Sequence, residues 1–134
     1  MPMIQISFAA AARPGLESQI AALAAELAAG HLGKDPALTA VSVIAVPPAH
    51  WFAGGQSLAA QGVAGFWLDI RVTEGTNTKD EKAAFIAATF AAMAALIGPL
   101  HPESYVHVVE ARADAYGYAG LTQERRYIAA RPAS

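Results

Sequence analysis

The sequence contains one structural pattern twice, and this duplication constrains the fold more than any other feature. The pattern is a short strand of alternating apolar residues, a helix, a second strand and a glycine turn. In the first half, the strands are predicted at Met3–Phe8 and Val41–Val46, and the turn ends at Gly55. An equivalent turn ends 65 positions later, at Gly120, which indicates an internal repeat.

The repeat predicts how the chain is organised. The two units are expected at residues 2–55 and 66–120. Residues 56–65, rich in Gly, Ala, Ser and Gln, are expected to link them. The chain has 134 residues, which is the length of one domain, so residues 1–134 are predicted to form a single domain.

In each unit the helix is predicted to pack against one face of the strands. Two strands joined by a helical crossover are expected to be parallel, with a right-handed connection. The predicted fold class is therefore α+β, a two-layer sandwich in which a duplicated β-α-β unit forms a four-stranded sheet with two helices on one face. The apolar helix faces are predicted at Leu16, Ile20, Leu23 and Leu27 in the first helix, and at Ile86, Phe90, Met93 and Ile97 in the second.

The second face of this sheet is expected to be apolar as well, with no helix left to cover it. Hydrophobic residues make up 54% of the chain and charged residues only 15%. Such a composition leaves much alanine and aliphatic surface to bury. The simplest cover is the sheet of another subunit, so the chain is expected to associate with copies of itself.

Composition and charge exclude several other classes of function. The net charge is −2 and the pI is about 6.0, so nucleic-acid binding is not expected, because neutralising phosphates needs a basic surface. The absence of cysteine excludes a disulfide framework, a thiolate nucleophile and a cysteine-ligated metal, and is compatible with the predicted cytoplasmic location. No apolar run reaches the length of a membrane helix, and no basic region typical of a signal peptide begins the chain.

The usual catalytic motifs are missing, but the second residue offers a different chemistry. No phosphate loop, dinucleotide fingerprint, HExxH or GxSxG motif is present, and the four histidines lack metal-ligand spacing, so no metal site is predicted. The chain begins Met1-Pro2. Removal of Met1 would leave Pro2 with a free secondary amine, and an apolar site with a nearby cation would lower the pKa of that amine. A prolyl amine poised near neutrality is a good general base.

The Met1-Pro2 start, the strand directly after it, the duplicated unit and the glycine turns together resemble the tautomerase superfamily. The resemblance is to its fused two-repeat type and covers nearly the whole chain. The turn His50-Trp51-Phe52-Ala53-Gly54-Gly55 and the segment Thr73-Glu74-Gly75-Thr76 look like those of 4-oxalocrotonate tautomerase. The resemblance implies Pro2 as the catalytic base, a homotrimer, a site near a subunit boundary and no cofactor.

The resemblance also implies residues that bind the substrate. The segment Gly33-Lys34-Asp35-Pro36 is similar to one in macrophage migration inhibitory factor, where the lysine reaches the substrate carboxylate. Lys34 is alternatively a solvated residue after a helix. Tyr105 and His107 fall where that protein has a site-lining Tyr and Asn, two positions apart and so on one sheet face. His107 is either a donor to a substrate oxygen or an interface histidine.

The arginines of related sites are only partly matched here. Arg13 is one residue out of register with an arginine of 4-oxalocrotonate tautomerase, and Ser42 stands where its second arginine lies. Arg71 alternates with apolar neighbours and faces either a site or solvent. Thr73 and Thr76 replace the two arginines of the dehalogenases, which counts against dehalogenase chemistry.

The two glycine turns carry aromatic residues. Trp51 and Phe52 lie in the first turn, and Tyr116 and Tyr118 lie in the second. These rings are expected either to wall an apolar pocket that keeps the amine neutral or to pack under the hairpins.

Two classes of function follow. The first is a cofactor-independent tautomerase that interconverts enol and keto forms of a small carboxylated substrate, such as a 2-hydroxydienoate or phenylpyruvate, with Pro2 as general base. The alternatives are a hydratase, dehalogenase or decarboxylase that depends on Pro2, or a non-catalytic oligomeric binding protein on the same scaffold.

Overall fold

The computed structural model describes residues 1–132, and the repeat is visible in the order of its elements. Each half contains two long strands flanking a long helix, followed by a hairpin of two short strands and a further helix. The elements are β1 Met3–Ala9, α1 Leu16–Leu32, β2 Ala40–Ala45, β3 Phe52–Ala53, β4 Gln56–Ser57, α2 Leu58–Gln61, β5 Gly65–Thr73, α3 Lys79–Ile97, β6 Tyr105–Ala111, β7 Gly117–Tyr118, β8 Leu121–Thr122 and α4 Gln123–Ala130.

The four long strands form one mixed sheet in the order β2-β1-β5-β6. β1 and β2 are parallel, and so are β5 and β6, which confirms the prediction drawn from the helical crossovers. The two units join through β1 and β5, which are antiparallel. Since those two strands run in opposite directions, equivalent parts of the two units lie at opposite ends of the sheet.

The core lies between one face of the sheet and the helices α1 and α3, as the predicted two-layer α+β fold requires. Ile4, Ile6 and Phe8 of β1 and Leu68 and Ile70 of β5 are buried there. Thr78 begins α3 with a capping box, in which the side chains of Thr78 and Glu81 each accept from the other residue's backbone N–H.

The buried helix faces agree only in part with the predicted apolar faces. Leu16, Ile20 and Met93 are buried as predicted, and Leu23, Leu27 and Ile97 pack against the core while partly buried. In α1 the buried residues are Leu16, Ile20, Ala24, Ala28 and Leu32. In α3 they are Phe85, Thr89 and Met93, whereas Ile86 and Phe90 are 40% and 37% exposed. Alanine is abundant on all sides of both helices, so the spacing of the large residues alone did not identify the buried face. Small alanines at the contact let the helices approach the sheet closely.

The open face of the sheet is less apolar than expected. Side chains from the four strands form rows across it, because the strand registers align alternate residues. One row is mostly apolar and contains Ile44, Ser7, Trp67 and Tyr105. The next row is polar and contains Ser42, Gln5, Asp69 and His107. No helix covers this face in the part of the chain that the structure describes.

Residues 56–65 are not the simple linker that the sequence predicted. They contain β4, the whole of α2 and the first residue of β5, and Leu58 within them is fully buried. The equivalent segment of the second unit forms β8 and the whole of α4. Each unit therefore continues past its glycine turn. The short, alanine-rich segment has no helical periodicity long enough to be recognised from sequence.

Among residues 1–132, no helix combines the length and the apolar character needed to cross a bilayer.

Candidate active site

Pro2 is buried and lies directly before Met3, the first residue of β1. Its carbonyl accepts a hydrogen bond of 3.2 Å from the backbone N–H of Ala40, which fixes the end of the chain against β2. Burial lowers the pKa of the amino group at Met1, and the nearby Lys34 ammonium lowers it further. An amine at this end of β1 is therefore biased toward its neutral, basic form.

Lys34 reaches this site from the end of α1. Gly33 ends the helix in the left-handed conformation, with φ of 67°, and the backbone N–H of Lys34 still bonds the Ala28 carbonyl at 3.2 Å. Its ammonium donates a 3.1 Å hydrogen bond to the hydroxyl of Thr76. Burial lowers the pKa of Lys34, although the Glu81 carboxylate acts in the opposite direction. The side chain is thus a half-buried cation beside the start of the chain.

Tyr116 is the third side chain at the site, and the sequence did not single it out from the other turn aromatics. Its hydroxyl donates to the Met1 carbonyl at 2.6 Å and lies 3.3 Å from the Arg71 carbonyl. Burial raises the pKa of Tyr116, while a backbone hydrogen bond from Met3 and the Arg71 charge lower it. The sequence feature that could have identified Tyr116 is its position in the repeat, 65 residues after Trp51.

Arg71 lies near the site but on the open face of the sheet. It is exposed, and on β5 it pairs with Met3 of β1. The positive charge of Arg71 acts to lower the pKa of the Tyr116 phenol, so Arg71 lies close to that side chain. Arg71 is therefore a second cation close to Pro2, held by a different strand from Lys34.

Arg13, Trp51 and Phe52 do not meet Pro2 within one subunit. They follow the far ends of β1 and β2, and a strand of seven residues spans about 20 Å. The Arg13 guanidinium instead donates to the Leu96 carbonyl at 3.1 Å, at the end of α3. Trp51 lies beside Gly65, and the Phe52 side chain is 64% exposed.

Tyr105 and His107 lie on the open sheet face, away from Pro2. The Tyr105 ring packs against Trp67 with centroids 5.2 Å apart, and its hydroxyl donates to Glu103. The His107 Nδ1 atom is 3.8 Å from the Asp69 carboxylate, and the His107 side chain is 64% exposed. Both residues are exposed on this face and do not lie beside the start of their own chain.

Tyr118 lies on the hairpin β7–β8, at the same end of the sheet as Pro2. Its ring stacks under the Arg126 guanidinium, whose central carbon is 3.8 Å from the ring centroid. Its neighbour Tyr116 turns toward Met1. The hairpin therefore places Tyr116 at the candidate site and Tyr118 against Arg126 of α4.

Comparisons with known proteins identify the fold. No protein-family model and no curated protein matches the chain. The crystal structure of Pt0534 inactivated by 2-oxo-3-pentynoate is 19% identical, with a TM-score of 0.80 over 92% of this chain and 98% of that one. The Q0 fused 4-OT symmetric trimer is 18% identical, with a TM-score of 0.78 over 96% and 99%.

A third similar structure is the macrophage migration inhibitory factor-like protein of Entamoeba histolytica. It is 18% identical, with a TM-score of 0.74 over 90% of this chain and 97% of that one. The chain has the fused 4-OT fold. At these identities the likeness establishes the fold, as the two-layer prediction anticipated.

Within this fused 4-OT fold, an open cavity of about 320 Å³ lies at the second hairpin. It is lined by Asp114, Ala115, Tyr116, Gly117, Gly120, Leu121 and Thr122. Tyr116 thus lies between this cavity and the start of the chain. In residues 1–132 no three His, Asp or Glu side chains converge as metal ligands would.

Proposed function

We propose that this protein is a tautomerase-superfamily enzyme that interconverts enol and keto forms of a small carboxylated substrate, without a cofactor. One observation carries the proposal: Pro2 is buried directly before β1, and the pKa of the neighbouring Met1 amine is lowered there by burial and by the Lys34 cation. The substrate class is a 2-hydroxydienoate or a phenylpyruvate-like enol.

Pro2 acts in this proposal once Met1 has been removed. An amide nitrogen has no basicity, whereas the free prolyl nitrogen accepts a proton through its lone pair. The amine takes the proton from the enol hydroxyl and returns it to the substrate carbon, so the product is the ketone and the enzyme is unchanged. A positioned acid–base group of this kind contributes roughly 10²- to 10⁴-fold in rate.

Lys34 binds the substrate carboxylate in this proposal. Its ammonium is half-buried, and its hydrogen-bond partner, Thr76, is neutral. A neutral partner leaves the charge available for an anion. Arg71 is the second cation close enough to take part, whereas Arg13 bonds Leu96 at the other end of the sheet.

We further propose that the enzyme is a homotrimer. A similar structure is described as a symmetric trimer of fused 4-OT. The open sheet face carries Trp67 and Tyr105, which are 44% and 48% exposed, and association would cover them. Trp51 and Phe52 could then wall the Pro2 site of a neighbouring subunit, since they cannot reach that of their own.

The first experiment uses 2-oxo-3-pentynoate, the compound that inactivates Pt0534. A free secondary amine adds to its conjugated alkyne, and the proton moves to carbon, so the protein gains the mass of one reagent molecule. Intact mass spectrometry followed by peptide mapping should locate the adduct on Pro2 of the Met1-free protein. Protein that retains Met1 should gain no adduct at Pro2.

The second experiment measures ketonisation of phenylenolpyruvate and 2-hydroxymuconate. Pro2→Ala keeps a primary amine and should lose much of the rate without unfolding, and the Met1-retaining form should lose more. The acidic limb of the kcat/KM profile, along which the Pro2 amine loses its proton and becomes an active base, should have a pKa below the 7.7–8.0 of an exposed terminal amine. Equal rates for the Met1-free and Met1-retaining forms would exclude the amine as catalyst. Binding without turnover would favour the binding-protein alternative.

A further inference from the structure

The two hairpins place equivalent residues at opposite ends of the sheet. The backbone N–H of Leu58 donates to the Trp51 carbonyl at 2.8 Å, and that of Gln123 donates to the Tyr116 carbonyl at 2.8 Å. The residue just before each of them, Ser57 or Thr122, caps the helix that follows. Trp51 and Leu58 of the first unit therefore correspond to Tyr116 and Gln123 of the second.

The strand registers show which residue of the sheet lies opposite Trp51 and Leu58, and which lies opposite Tyr116 and Gln123. Ala40 begins β2 opposite Met3, and Tyr105 begins β6 opposite Trp67. Met3 and Trp67 are thus equivalent positions. Counting back two residues, Gly65 takes the place that Met1 has in the first unit.

In the first unit, the hairpin fills the space around Gly65. A Cβ atom at Gly65 would lie 2.7 Å from Leu58 Cδ1 and 3.8 Å from Trp51 Nε1, so the Leu58 side chain occupies the place of a side chain there. By the same geometry, Gln123 and Tyr116 face the position of Met1. The hydrogen bond of 2.6 Å from the Tyr116 hydroxyl to the Met1 carbonyl agrees with this correspondence.

Gln123 has a polar side chain where its counterpart is apolar. Leu58 is fully buried, and Gln123 is 9% exposed. The Nε2 amide of Gln123 is buried without a hydrogen-bond partner. A buried donor without an acceptor is unfavourable, and leucine would fill the same place without that penalty. Packing alone therefore does not account for glutamine at this position.

We propose that Gln123 and Tyr116 bind one oxygen of the ligand, in the space that Met1 vacates. In this structure the Met1 carbonyl oxygen stands in for the ligand oxygen, since Tyr116 already donates to it. Removal of Met1 frees the phenol and uncovers the unpaired Gln123 amide. Both groups are neutral donors, and they approach from the hairpin, whereas Lys34 approaches from the end of α1.

The inference rests on the proposed function for the position of the ligand, and it assigns residues to the oxygen that the proposed substrates share. Lys34 takes the carboxylate, and the two neutral donors take the oxygen on the adjacent carbon. The ligand is therefore a 2-oxo acid or its 2-hydroxy enol, rather than a carboxylic acid without that oxygen. Donors that hold this oxygen also stabilise charge that develops on it during proton transfer.

The test compares two aromatic acids by isothermal titration calorimetry on Met1-free protein. Phenylglyoxylate has a carboxylate and a 2-oxo oxygen and cannot enolise, so binding is measured without turnover. Phenylacetate has the same ring and carboxylate but no ketone oxygen. We expect wild-type protein to prefer phenylglyoxylate, and we expect Gln123→Leu and Tyr116→Phe each to reduce that preference by about three- to tenfold.

The matched controls are Tyr118→Phe, on the same hairpin but stacked on Arg126, and Gln19→Leu, on the exposed side of α1. Neither should change the preference, and phenylacetate affinity should be equal in all four variants. Protein that retains Met1 should show no preference. Thermal melting identifies any variant that has not folded, and Gln123→Glu then provides a second replacement that removes the NH₂ donor.

Pro2→Ala separates this inference from the proposed function. It retains the donors, so it should keep the preference while losing activity. An unchanged preference in both Gln123→Leu and Tyr116→Phe would overturn the oxygen site, even if Pro2 proves catalytic. A reduced preference in an enzymatically inactive protein would support the oxygen site and contradict the proposed reaction.

Discussion

Lys34 and Thr76 join the two repeated units at the candidate site. The Lys34 ammonium donates to the Thr76 hydroxyl at 3.1 Å, and that hydroxyl donates to the Thr73 carbonyl at 2.6 Å. The loop after β5 therefore holds a lysine that comes from the end of α1. Because threonine is neutral, this contact orients the ammonium without neutralising it.

Lys34→Ala should raise KM for a carboxylated enol more than Ser42→Ala does. An ion pair in a partly dry site is worth a few kcal/mol, whereas a hydroxyl contact contributes about 1 kcal/mol. Since burial lowers the pKa of Lys34, the wild-type KM should begin to rise at a lower pH than an exposed lysine would allow. Steady-state kinetics across pH would measure both effects. Equal, small changes in KM would indicate that the anion binds elsewhere, with Arg71 as the next candidate.

Thr89→Val should stabilise the fold by about 1 kcal/mol. Thr89 is fully buried in α3, and its hydroxyl has no hydrogen-bond partner. Valine has nearly the same shape and removes the unpaired hydroxyl. Urea denaturation measures the change, with Thr89→Ser as the control that keeps the hydroxyl and loses the methyl group. If Thr89→Val destabilises the protein as much as Thr89→Ser does, the Thr89 hydroxyl has a hydrogen-bond partner in solution.

Ala119→Gly should also stabilise the protein, by about 0.5–1 kcal/mol. Ala119 has a φ of 51° in the turn between β7 and β8, whereas the equivalent residue of the first turn is Gly54, with φ of 64°. A left-handed conformation costs alanine more than glycine. Gly120→Ala, at φ of 81°, is the opposite change and should lower the thermal midpoint. A drop in stability with Ala119→Gly would contradict this account.

Ile44→Glu should disrupt the proposed trimer. Ile44 is 58% exposed on β2, in the apolar row of the open sheet face. A carboxylate buried there without a partner is strongly unfavourable. Ile86→Glu is the matched control, since Ile86 is 40% exposed on α3, on the helical side of the sheet. Light scattering should give a smaller species for Ile44→Glu only, and a trimer in both variants would exclude the open face as the interface.

Local sequence patterns were sufficient for the four long strands and the two long helices. The first strand was predicted at Met3–Phe8 and is found at Met3–Ala9, because alternation of apolar residues has the period of a half-buried strand. The capping box at Thr78 likewise depends on residues three positions apart. The buried faces of α1 and α3 were not predictable in this way, since alanine fits either side of a helix.

The residues of the candidate site were likewise only partly predictable from the sequence. Pro2 and Lys34 were singled out from motifs; Pro2 precedes β1, and the Lys34 ammonium acts on the same place from the end of α1. Within one subunit Arg13 lies at the end of the sheet opposite Pro2, because it follows the last residue of β1. Gln123 was missed because it belongs to no motif, and its significance depends on Leu58, in the other unit.

The sequence by itself determined the repeat, the order of the long strands and helices and the parallel pairing within each unit, because these depend on periodicity and on short connections. Only the tertiary structure decided that β1 and β5 run antiparallel, since their pairing depends on contacts between residues far apart in the chain. That pairing places the second hairpin, with Tyr116 and Gln123, beside Pro2, and sends Trp51 and Phe52 to the opposite end of the sheet. The composition of the candidate site is thus a consequence of how the two units meet.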